Sequence, residues 1–544
     1  MSGIDPASPA GTGILPPSRP RHVPACPLSA LRDLLGPDAP GSDAPGPEVV
    51  RDGTHPPAGE PVVTGVTHAS GAVRPGDLYA ALPGAVHHGA EFVAEAVAGG
   101  ARAVLTDPRG AALIAGTPTG AGLPVLVVAD PRARIGAVAA RVYGDPTVRL
   151  PVIGITGTSG KTTTAYLVEA GLRAAGRTPA LLGTVETRLG DLVIESARTT
   201  PEATDLHALL AVARERGVDA VVMEVSSHAL VLGRVGGVRF AVGGYTNFGL
   251  DHLDFHRDAA DYFAAKARLF DGRCGVEVLN HDDPALVRLR RPHTVTYSAA
   301  GDPTATWRAE RVAPGADGTG FTQRFTAVGR GAGGEPVRVP AGVGQPGQHS
   351  VANALLAVAS LVAVGVDPAV AAAGVAGAPG VPGRMERVPS PGGVLGVVDY
   401  AHKPDAVVAV LAALRGVAAA RGGRLICVIG AGGDRDRGKR GPMGAAAASG
   451  ADLVVVTDDN PRTEDPAAIR AGVLAGAHTI NGVDAVEVPG RRAAIDGAVH
   501  RAAPVDVVAV LGKGHERGQE VAGKVYPFDD RTALAEALAS VATA

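Results

Sequence analysis

The sequence predicts an α/β protein of three domains, with a parallel sheet in the second domain and a doubly wound, Rossmann-like sheet in the third. Three observations support this prediction. The chain has 544 residues, whereas one domain usually takes about 150. Short apolar runs alternate with alanine-rich helical stretches, which is typical of a parallel sheet covered by helices. A glycine-rich loop stands directly between an apolar run and a helical stretch.

The first domain is expected over residues 25–150, as a small α/β unit. Residues 1–24 are rich in Pro, Gly and Ser and lack the apolar segment of a secretory signal, so we expect a disordered tail. A second low-complexity stretch, residues 36–60, is expected to be a loop or insertion. The strand-like runs of this domain are residues 62–66, 78–82, 103–105 and 125–128.

The second and third domains are expected over residues 151–380 and 381–544. The Gly/Pro cluster at residues 374–383 is typical of a hinge between them. Apolar runs predict strands at residues 152–155, 220–223, 276–279, 394–398, 425–429, 453–456 and 507–511. In doubly wound sheets, ligands bind at the carboxyl ends of the strands.

Composition excludes several classes of function. The 51 basic and 54 acidic residues nearly balance, with a net charge of -3, so no broad basic field is available for nucleic acid or anionic lipid. The three cysteines are far apart, as expected in a reducing cytoplasm. The uncharged run at residues 350–366 is shorter than the roughly 20 residues that span a bilayer. We therefore expect a cytoplasmic protein with no membrane span, no nucleic-acid partner and a buried helix at this run.

The strongest local motif is the loop from Thr156 to Thr163. Small residues let backbone N–H groups surround phosphate oxygens at a helix N-terminus, while a lysine neutralises phosphate charge and a threonine hydroxyl binds Mg²⁺. Ile155 stands where the general pattern has glycine, which leaves open a glycine turn that binds no nucleotide. The predicted ATP-binding residues of the loop are Gly157, Thr158, Ser159, Gly160, Lys161, Thr162 and Thr163.

Two further segments bear on the chemistry. Glu224 follows an apolar run and could hold a Mg²⁺ ion shared with Thr162, although a hydrogen-bonded strand end is the alternative. The segment from Thr246 to His256 places two His and two Asp in one loop, and an alanine-rich helix with the single lysine Lys266 follows it.

In this order and spacing, these segments and the phosphate loop resemble the central domain of the Mur ligase family, and the resemblance extends from about residue 60 to the C-terminus. It implies a carbamylated lysine at Lys266 that helps to place a second Mg²⁺ with His252, where a solvated surface lysine would otherwise be expected. The implied catalytic residues are Lys161, Glu224, His252 and Lys266, and the implied metal ligands are Thr162, Glu224, His252 and carbamylated Lys266.

Motifs of the third domain resemble the branch of this family that adds diaminopimelate as the third residue of the peptidoglycan stem. Asp459 to Arg462 is similar to the signature for diaminopimelate rather than lysine. Guanidinium groups suit its carboxylates and acidic groups suit its ammonium groups, although a surface ion-pair network is the alternative. The implied diaminopimelate-binding residues are Arg435, Asp459, Asn460, Arg462, Gly512 and Glu516.

The resemblance also assigns residues to the other two substrates. For ATP it adds Asn353, Arg384 and Asp399. For the UDP-sugar peptide it implies Ser70, Thr199, Thr200, Ser226 and Arg234. The sequence departs from the family pattern at Ala69, Gly71, Leu232 and His349.

The implied reaction begins with attack of the D-Glu side-chain carboxylate of UDP-N-acetylmuramoyl-L-Ala-D-Glu on the ATP γ-phosphate. An amine of diaminopimelate then displaces phosphate from the acyl phosphate. ATP and Mg²⁺ are the expected cofactors, and a monomer is the expected form. Two alternatives stay open: another ligase of the superfamily, such as a folate polyglutamate synthetase or the enzyme that adds D-Ala-D-Ala, and a phosphate-loop ATPase or regulatory protein that no longer ligates.

Overall fold

The computed structural model describes residues 19–36, 49–50, 60–120, 122–315 and 320–542. These residues pack into two compact units. The first contains the described residues before 157 together with 177–243 and 263–275, and the second contains 157–176, 244–262 and the described residues from 276 onward. The three-domain limits at residues 150 and 380 stay predictions.

The N-terminal part of the first unit is a five-stranded sheet, parallel except for one edge strand. Its strands lie in the order Val49–Val50, Val125–Val127, Ala103–Thr106, Asp77–Ala80 and Gly65–Thr67. Cys26–Pro27 pairs separately with Val62–Val63. The helices are Leu28–Leu35, Val93–Ala98, Pro108–Ala115 and Pro131–Val142, with short 3-10 turns at Ser70–Ala72, Gly89–Phe92, Pro118–Gly120 and Pro146–Val148. Asp107 and Asp130 cap two of these helices ahead of a proline, a favourable start for a helix.

The rest of the first unit contains five strands in the order Leu192–Glu195, Glu186–Leu189, Pro179–Leu182, Ala220–Glu224 and Val152–Thr156, of which the last three are parallel. Its helices are Ala203–Glu215 and Ser227–Val231. The 3-10 turn Arg268–Phe270 also lies in this unit, whereas strand Phe240–Tyr245 and helix Ala259–Ala267 each contain residues of both units.

Within the first unit, the backbones of helix Pro131–Val142 and the 233–238 loop approach each other closely. A Cβ atom on Gly136 would lie 2.5 Å from the Gly236 carbonyl oxygen, and one on Gly237 would lie 2.6 Å from the Gly136 carbonyl oxygen. No side chain fits between these two backbones, because real Cβ atoms essentially never approach so closely.

The middle part of the second unit has strands Cys274–Asn280, Val295–Ser298, Trp307–Pro314, Gln323–Arg330 and Pro336–Val343, neighbours in that order. Around them lie helices Lys161–Ala174, Gln348–Ala363 and Pro368–Ala376 and the 3-10 turn Pro284–Leu289. Helix Gln348–Ala363 is buried along most of its length, which confirms the predicted buried helix. No helix in the described part of the chain is long and apolar enough to cross a membrane.

The C-terminal part of the second unit is a six-stranded sheet, parallel except for its first strand. The strands lie in the order Glu386–Val388, Leu395–Asp399, Val507–Leu511, Leu425–Ile429, Leu453–Val456 and Asp484–Glu487. One apolar core contains residues of helices Pro404–Arg421, Arg440–Gly450 and Pro466–Ala477, and a second contains residues of Arg491–His500 and Asp530–Ala542. A 3-10 turn at Arg437–Lys439 and a hairpin of Gly518–Val521 with Lys524–Pro527 complete it. The prediction of a doubly wound sheet is confirmed.

The structure differs in part from two expectations based on composition, the hinge and the N-terminal tail. The predicted hinge at residues 374–383 does not begin at Gly374, because Gly374 lies in helix Pro368–Ala376 and packs closely on Ala174 and Gly171. Of the predicted tail, residues 1–18 lie outside the described residues. Arg19, however, is ion-paired with the buried Asp77 at 2.7 Å, so the end of that segment is attached to the first sheet.

Candidate active site

The phosphate loop follows strand Val152–Thr156 and ends where helix Lys161–Ala174 begins. Two of its glycines are required by space and by backbone conformation. Gly157 has φ +139°, and a Cβ there would lie 1.8 Å from Thr246 Oγ1; Gly160 has φ +85°, and a Cβ there would lie 2.5 Å from Asn353 Oδ1. Ile155, the departure from the general pattern, is a fully buried residue of the strand. The loop therefore has the predicted context.

The segment after Tyr245 holds the phosphate loop in place. Asn247 accepts a hydrogen bond from the Thr158 N–H at its carbonyl (2.9 Å) and one from the Ser159 N–H at Oδ1 (3.1 Å). Its Nδ2 donates to the Ser159 carbonyl at 3.1 Å. Lys161 Nζ donates to the carbonyls of Gly157 (2.8 Å) and Thr158 (3.1 Å). Asn247 lies in the predicted segment from Thr246 to His256, but no role was predicted for it.

Two residues predicted for ATP, Asn353 and Arg384, lie near this loop, and a third, Asp399, binds the backbone next to Arg384. Asn353 lies against Gly160, as described, and Arg384 Nη2 lies 3.5 Å from Thr162 Oγ1. Asp399 is buried, and its carboxylate accepts from the N–H groups of Met385 and Ala401, both at 2.7 Å. Burial raises the pKa of Asp399, which Arg384 opposes. The fold thus brings Arg384 and Thr162 together from distant parts of the sequence.

The loop at residues 246–256, which contains two histidines, forms an ion pair with a residue of the predicted third domain. The Asp251 carboxylate accepts from His252 Nε2 at 3.0 Å and from Lys403 Nζ. Burial alone would raise the pKa of Asp251, but the hydrogen bond from His252 and the charge of Lys403 hold it well below its ordinary value. His252 has φ +53°, an uncommon conformation for a residue other than glycine. Lys403 was not predicted, because its partner is 152 residues away.

Two predicted catalytic residues lie in the first unit, and both are buried. Glu224 Oε1 accepts from the Thr184 N–H at 2.7 Å, and its Oε2 lies 3.2 Å from the Thr184 hydroxyl. Lys266 is 1% exposed, so it is not a solvated surface lysine. Among the described residues, no group of three or more His, Cys, Asp or Glu side chains could hold a metal ion. The predicted ligand set of hydroxyl, carboxylate, imidazole and modified lysine stays a prediction.

Three of the residues predicted for the UDP-sugar peptide lie together near Glu224. The Thr200 hydroxyl donates to the Glu224 carbonyl at 2.8 Å and accepts from the Ser226 N–H at 3.1 Å, while Thr199 Oγ1 lies 3.1 Å from the Thr184 hydroxyl.

Within the described residues, the side chains of the other two members of that set make no hydrogen bond to this group. Arg234 pairs with Glu202 at 2.8 Å, and burial lowers the pKa of Arg234. Among the described residues, Ser70 makes no side-chain hydrogen bond to the rest of the set.

Most residues predicted for diaminopimelate converge at strand ends of the third-domain sheet. Gly512 has φ +117°, and a Cβ there would lie 2.5 Å from Asp459 Oδ2. Asn460 Nδ2 donates to Glu516 Oε2 at 2.9 Å. Arg462 donates to the Gly433 carbonyl at 2.7 Å. The site combines carboxylates with a guanidinium group, so it can bind a ligand that carries both signs of charge.

Two charged residues of this site were not predicted, and one predicted residue makes no hydrogen bond to it within the described residues. Lys513 is fully buried, and its Nζ donates to Asn460 Oδ1 and Glu516 Oε2, both at 3.0 Å. Glu520 Oε2 lies 3.3 Å from Arg462 Nε. Arg435 is exposed and makes no hydrogen bond or ion pair to this site within the described residues. The glycines on both sides of Lys513 were a signal that could have identified it, whereas Glu520 carries none.

A buried ion pair lies beneath these strand ends. Arg491 donates to both oxygens of Asp530 at 2.7 Å, and each side chain is 0% exposed. The same guanidinium donates to the carbonyls of Leu511 (3.0 Å) and Asp458 (3.1 Å), directly before Gly512 and Asp459.

Comparison with known proteins places this site in context. Residues 62–143 match the Mur ligase family catalytic domain, residues 155–361 the Mur ligase middle domain, and residues 383–514 the Mur ligase glutamate ligase domain. The chain is 53% identical over 529 residues to the UDP-N-acetylmuramoyl-L-alanyl-D-glutamate--2,6-diaminopimelate ligase of Streptomyces avermitilis, covering 96% of this chain and 98% of the relative. It is 43% identical over 534 residues to the UDP-N-acetylmuramyl-tripeptide synthetase of Leifsonia xyli, covering 95% and 98%.

Solved structures agree with this comparison. A structure of a UDP-N-acetylmuramoyl-L-alanyl-D-glutamate--2,6-diaminopimelate ligase matches with a TM-score of 0.62 and 30% identity, over 91% of this chain and 99% of that one. A MurF structure from Acinetobacter baumannii matches with a TM-score of 0.58 and 18% identity, over 96% and 99%, a likeness of fold alone.

Proposed function

The chain belongs to the Mur ligase family, and from this we propose that it is an ATP-dependent amide ligase of peptidoglycan precursor synthesis. It joins diaminopimelate to the D-Glu side-chain carboxylate of UDP-N-acetylmuramoyl-L-Ala-D-Glu. The observation that carries the proposal is the pocket at the third-domain strand ends, where Arg462 lies beside a group of acidic side chains. The relatives named for this reaction match nearly the whole chain.

Diaminopimelate has two ammonium and two carboxylate groups, and the pocket offers partners for both. The planar fork of Arg462 suits a carboxylate. Asp459 and Glu516 suit the distal ammonium, while Asn460 and the backbone at Gly512 complete the contacts. Lysine lacks the second carboxylate and so cannot pair with the partly buried Arg462 guanidinium, which costs binding. We also assign Arg435 to this substrate.

The phosphate loop and Arg384 support the first chemical step. A D-Glu carboxylate oxygen attacks the γ-phosphorus, the bond to the β-phosphate oxygen breaks, and ADP leaves with that electron pair. Phosphoryl transfer depends on positioning and charge neutralisation. Lys161 and Arg384 supply positive charge, the loop from Gly157 to Thr163 supplies N–H donors, and Asn353 and Asp399 hold the adenosine side.

In the second step, an amine of diaminopimelate attacks the acyl carbon. The tetrahedral intermediate expels inorganic phosphate, and the nitrogen loses a proton as the amide forms. The UDP-sugar peptide would be held by Ser70, Thr199, Thr200, Ser226 and Arg234. Leu232, where the family pattern has a glutamine, offers this substrate no hydrogen bond.

The metal-binding residues of the proposal are Thr162, Glu224, His252 and carbamylated Lys266. Bound Mg²⁺ would neutralise charge on the phosphate oxygens. Three of these four residues, Thr162, Glu224 and carbamylated Lys266, offer oxygen ligands, which this hard cation prefers. Lys266 is 1% exposed, and a carbamate would replace the charge of its ammonium with that of an anionic oxygen ligand. We further propose that the protein acts as a monomer in the cytoplasm, in keeping with its free cysteines.

The test is phosphate release from ATP and Mg²⁺ with UDP-N-acetylmuramoyl-L-Ala-D-Glu and, in parallel, meso-diaminopimelate, LL-diaminopimelate or L-lysine. Release that depends on one diaminopimelate isomer is expected, and it also settles the stereochemistry. A Lys161→Ala variant is the control for contaminating ATPase. Release with lysine alone would contradict the assignment of Arg462, and no amino-acid-dependent release would favour a protein that has lost ligase activity.

A further inference from the structure

Lys513 is among the largest fully buried side chains of the described residues. A buried ammonium is costly unless it is paired and hydrogen-bonded. Its Nζ donates to Asn460 Oδ1 and Glu516 Oε2, both at 3.0 Å, and both partners belong to the proposed diaminopimelate pocket. The contacts that compensate for burying this charge therefore lie in the proposed diaminopimelate pocket itself.

The chain turns Lys513 inward by means of the glycines on either side. Gly512 and Gly514 have φ values of +117° and +54°. A Cβ on Gly514 would lie 2.7 Å from the Gly383 carbonyl oxygen and from Tyr400 Cβ. The Glu516 N–H then donates to the Lys513 carbonyl at 3.0 Å, which closes a turn and brings Glu516 back over the ammonium. Side chains other than hydrogen at positions 512 and 514 would open this turn.

The ammonium determines how Asn460 is oriented. Asn460 Oδ1 accepts from Lys513 Nζ at 3.0 Å and from the Glu520 N–H at 2.9 Å. Because two donors face Oδ1, the amide group must direct Nδ2 the other way, and Nδ2 donates to Glu516 Oε2 at 2.9 Å.

The same network leaves the two oxygens of Glu516 in different situations. Oε2 accepts from both Lys513 and Asn460, whereas Oε1 has no hydrogen bond within the described part of the chain. The side chain is 33% exposed, so Oε1 can be reached by a ligand. The hydrogen bonds to Oε2 thereby hold the carboxylate in one rotamer and leave Oε1 available to a ligand.

We propose that Lys513 is a positioning residue for diaminopimelate specificity: it fixes Asn460 and Glu516 so that Glu516 Oε1 receives the distal ammonium of the substrate. This rests on the proposed function. Two effects of the lysine oppose each other, since its charge repels an incoming ammonium while its hydrogen bonds hold the acceptor in place. Lys513 Nζ lies 3.0 Å from Glu516 Oε2 and so fixes the rotamer of the carboxylate that accepts the substrate ammonium. In this assignment, that positioning outweighs the charge repulsion.

The experiment compares diaminopimelate with 2-aminopimelate, which has hydrogen in place of the distal amine. Wild type, Lys513→Met and the surface control Lys524→Met are assayed for kcat and KM with each amino acid and for the KM of ATP. Lys513→Met keeps the chain length and removes the donors, and Lys524 is an exposed residue of the hairpin. We expect the preference for diaminopimelate to fall roughly tenfold in Lys513→Met, the loss of about one charge-assisted hydrogen bond. The KM of ATP and the control should not change.

Asn460→Asp supplies a second test if Lys513→Met does not fold, because it removes the Nδ2 donor to Glu516 and keeps the lysine. It should also reduce the preference. An unchanged or increased preference in the variants, or an equal loss of kcat with both amino acids, would overturn the assignment. If the wild-type protein shows no diaminopimelate-dependent phosphate release, the proposed function itself is overturned. If the wild type is active but the variants keep its preference for diaminopimelate over 2-aminopimelate, only the role of Lys513 is overturned.

Discussion

Replacement of Arg491 by methionine should destabilise the C-terminal sheet severely, whereas the same change at the next residue should not. Arg491 and Asp530 are both 0% exposed and share two hydrogen bonds of 2.7 Å. Burial opposes the charge of Arg491, but Asp530 raises its pKa. Arg492 is 49% exposed and pairs with Asp496 and Glu536 at the surface.

The expected magnitudes differ because of what each substitution leaves behind. Without Arg491, a buried carboxylate stays unpaired, which costs about 3–5 kcal/mol. The carbonyls of Leu511 and Asp458 also lose their donor. Loss of the Arg492 pairs should cost no more than about 1 kcal/mol.

Thermal unfolding of the full chain is the assay. With about 2 °C of midpoint shift per kcal/mol, Arg491→Met should lower the midpoint by about 6–10 °C, and Arg492→Met by about 2 °C or less. A double variant, Arg491→Met with Asp530→Leu, should recover most of the loss because no unpaired charge remains. Equal shifts for Arg491→Met and Arg492→Met, or no recovery in the double variant, would refute the reasoning.

Four further predictions concern chemistry, recognition and pH. Lys266→Ala should lose activity that carbonate or a short-chain carboxylate partly restores, and full activity without rescue would remove the carbamate from the mechanism. Arg462→Ala should raise the KM for diaminopimelate several-fold while the KM for ATP is unchanged; unchanged selectivity against lysine would place the amino-acid pocket elsewhere. Glu520→Gln should lower the KM for diaminopimelate, because Glu520 now competes for Arg462 at 3.3 Å; a higher KM would mean that Glu520 orients the guanidinium. Burial lowers the pKa of His207 from 6.5 to about 4, so its contribution to stability should fall by up to roughly 3 kcal/mol as the pH drops from 6.5 to 4. His207→Leu should flatten this dependence of the thermal midpoint on pH, and an equally steep profile in that variant would contradict it.

Sequence patterns predicted the buried strands well and the exposed ones poorly. Strands at residues 425–429, 453–456 and 507–511 match the prediction residue for residue, because strands covered on both faces are continuous apolar runs. Strands Gln323–Arg330 and Pro336–Val343 were not predicted. Most of their residues are exposed or partly buried, with arginines and prolines among them, so no apolar run marks them.

Site residues that belong to local sequence motifs were predicted, whereas those whose roles depend on contacts between distant parts of the chain were missed. The phosphate loop and the Asp459 to Arg462 segment are local patterns. Lys403 and Lys513 gain their roles from partners 152 and 53 residues away. Periodicity and composition contain no information on such pairs. A sequence pattern also does not distinguish a buried lysine from an exposed one. Lys266 was identified only by resemblance, since an isolated lysine on an alanine-rich helix has no other distinguishing feature.

The contact between Gly136 and Gly236 bears on how this protein can be recombined with its relatives. A methyl group on Gly136 would clash with the Gly236 carbonyl, and one on Gly237 would clash with the Gly136 carbonyl. Gly136 lies on the opposite side of residue 150, the expected domain limit, from the other two glycines. A chimera that joins the first 150 residues of one parent to the remainder of another therefore needs glycine at this contact from both parents. Crossover libraries should retain few functional clones from pairs in which either parent has alanine there, however similar the two sequences are elsewhere.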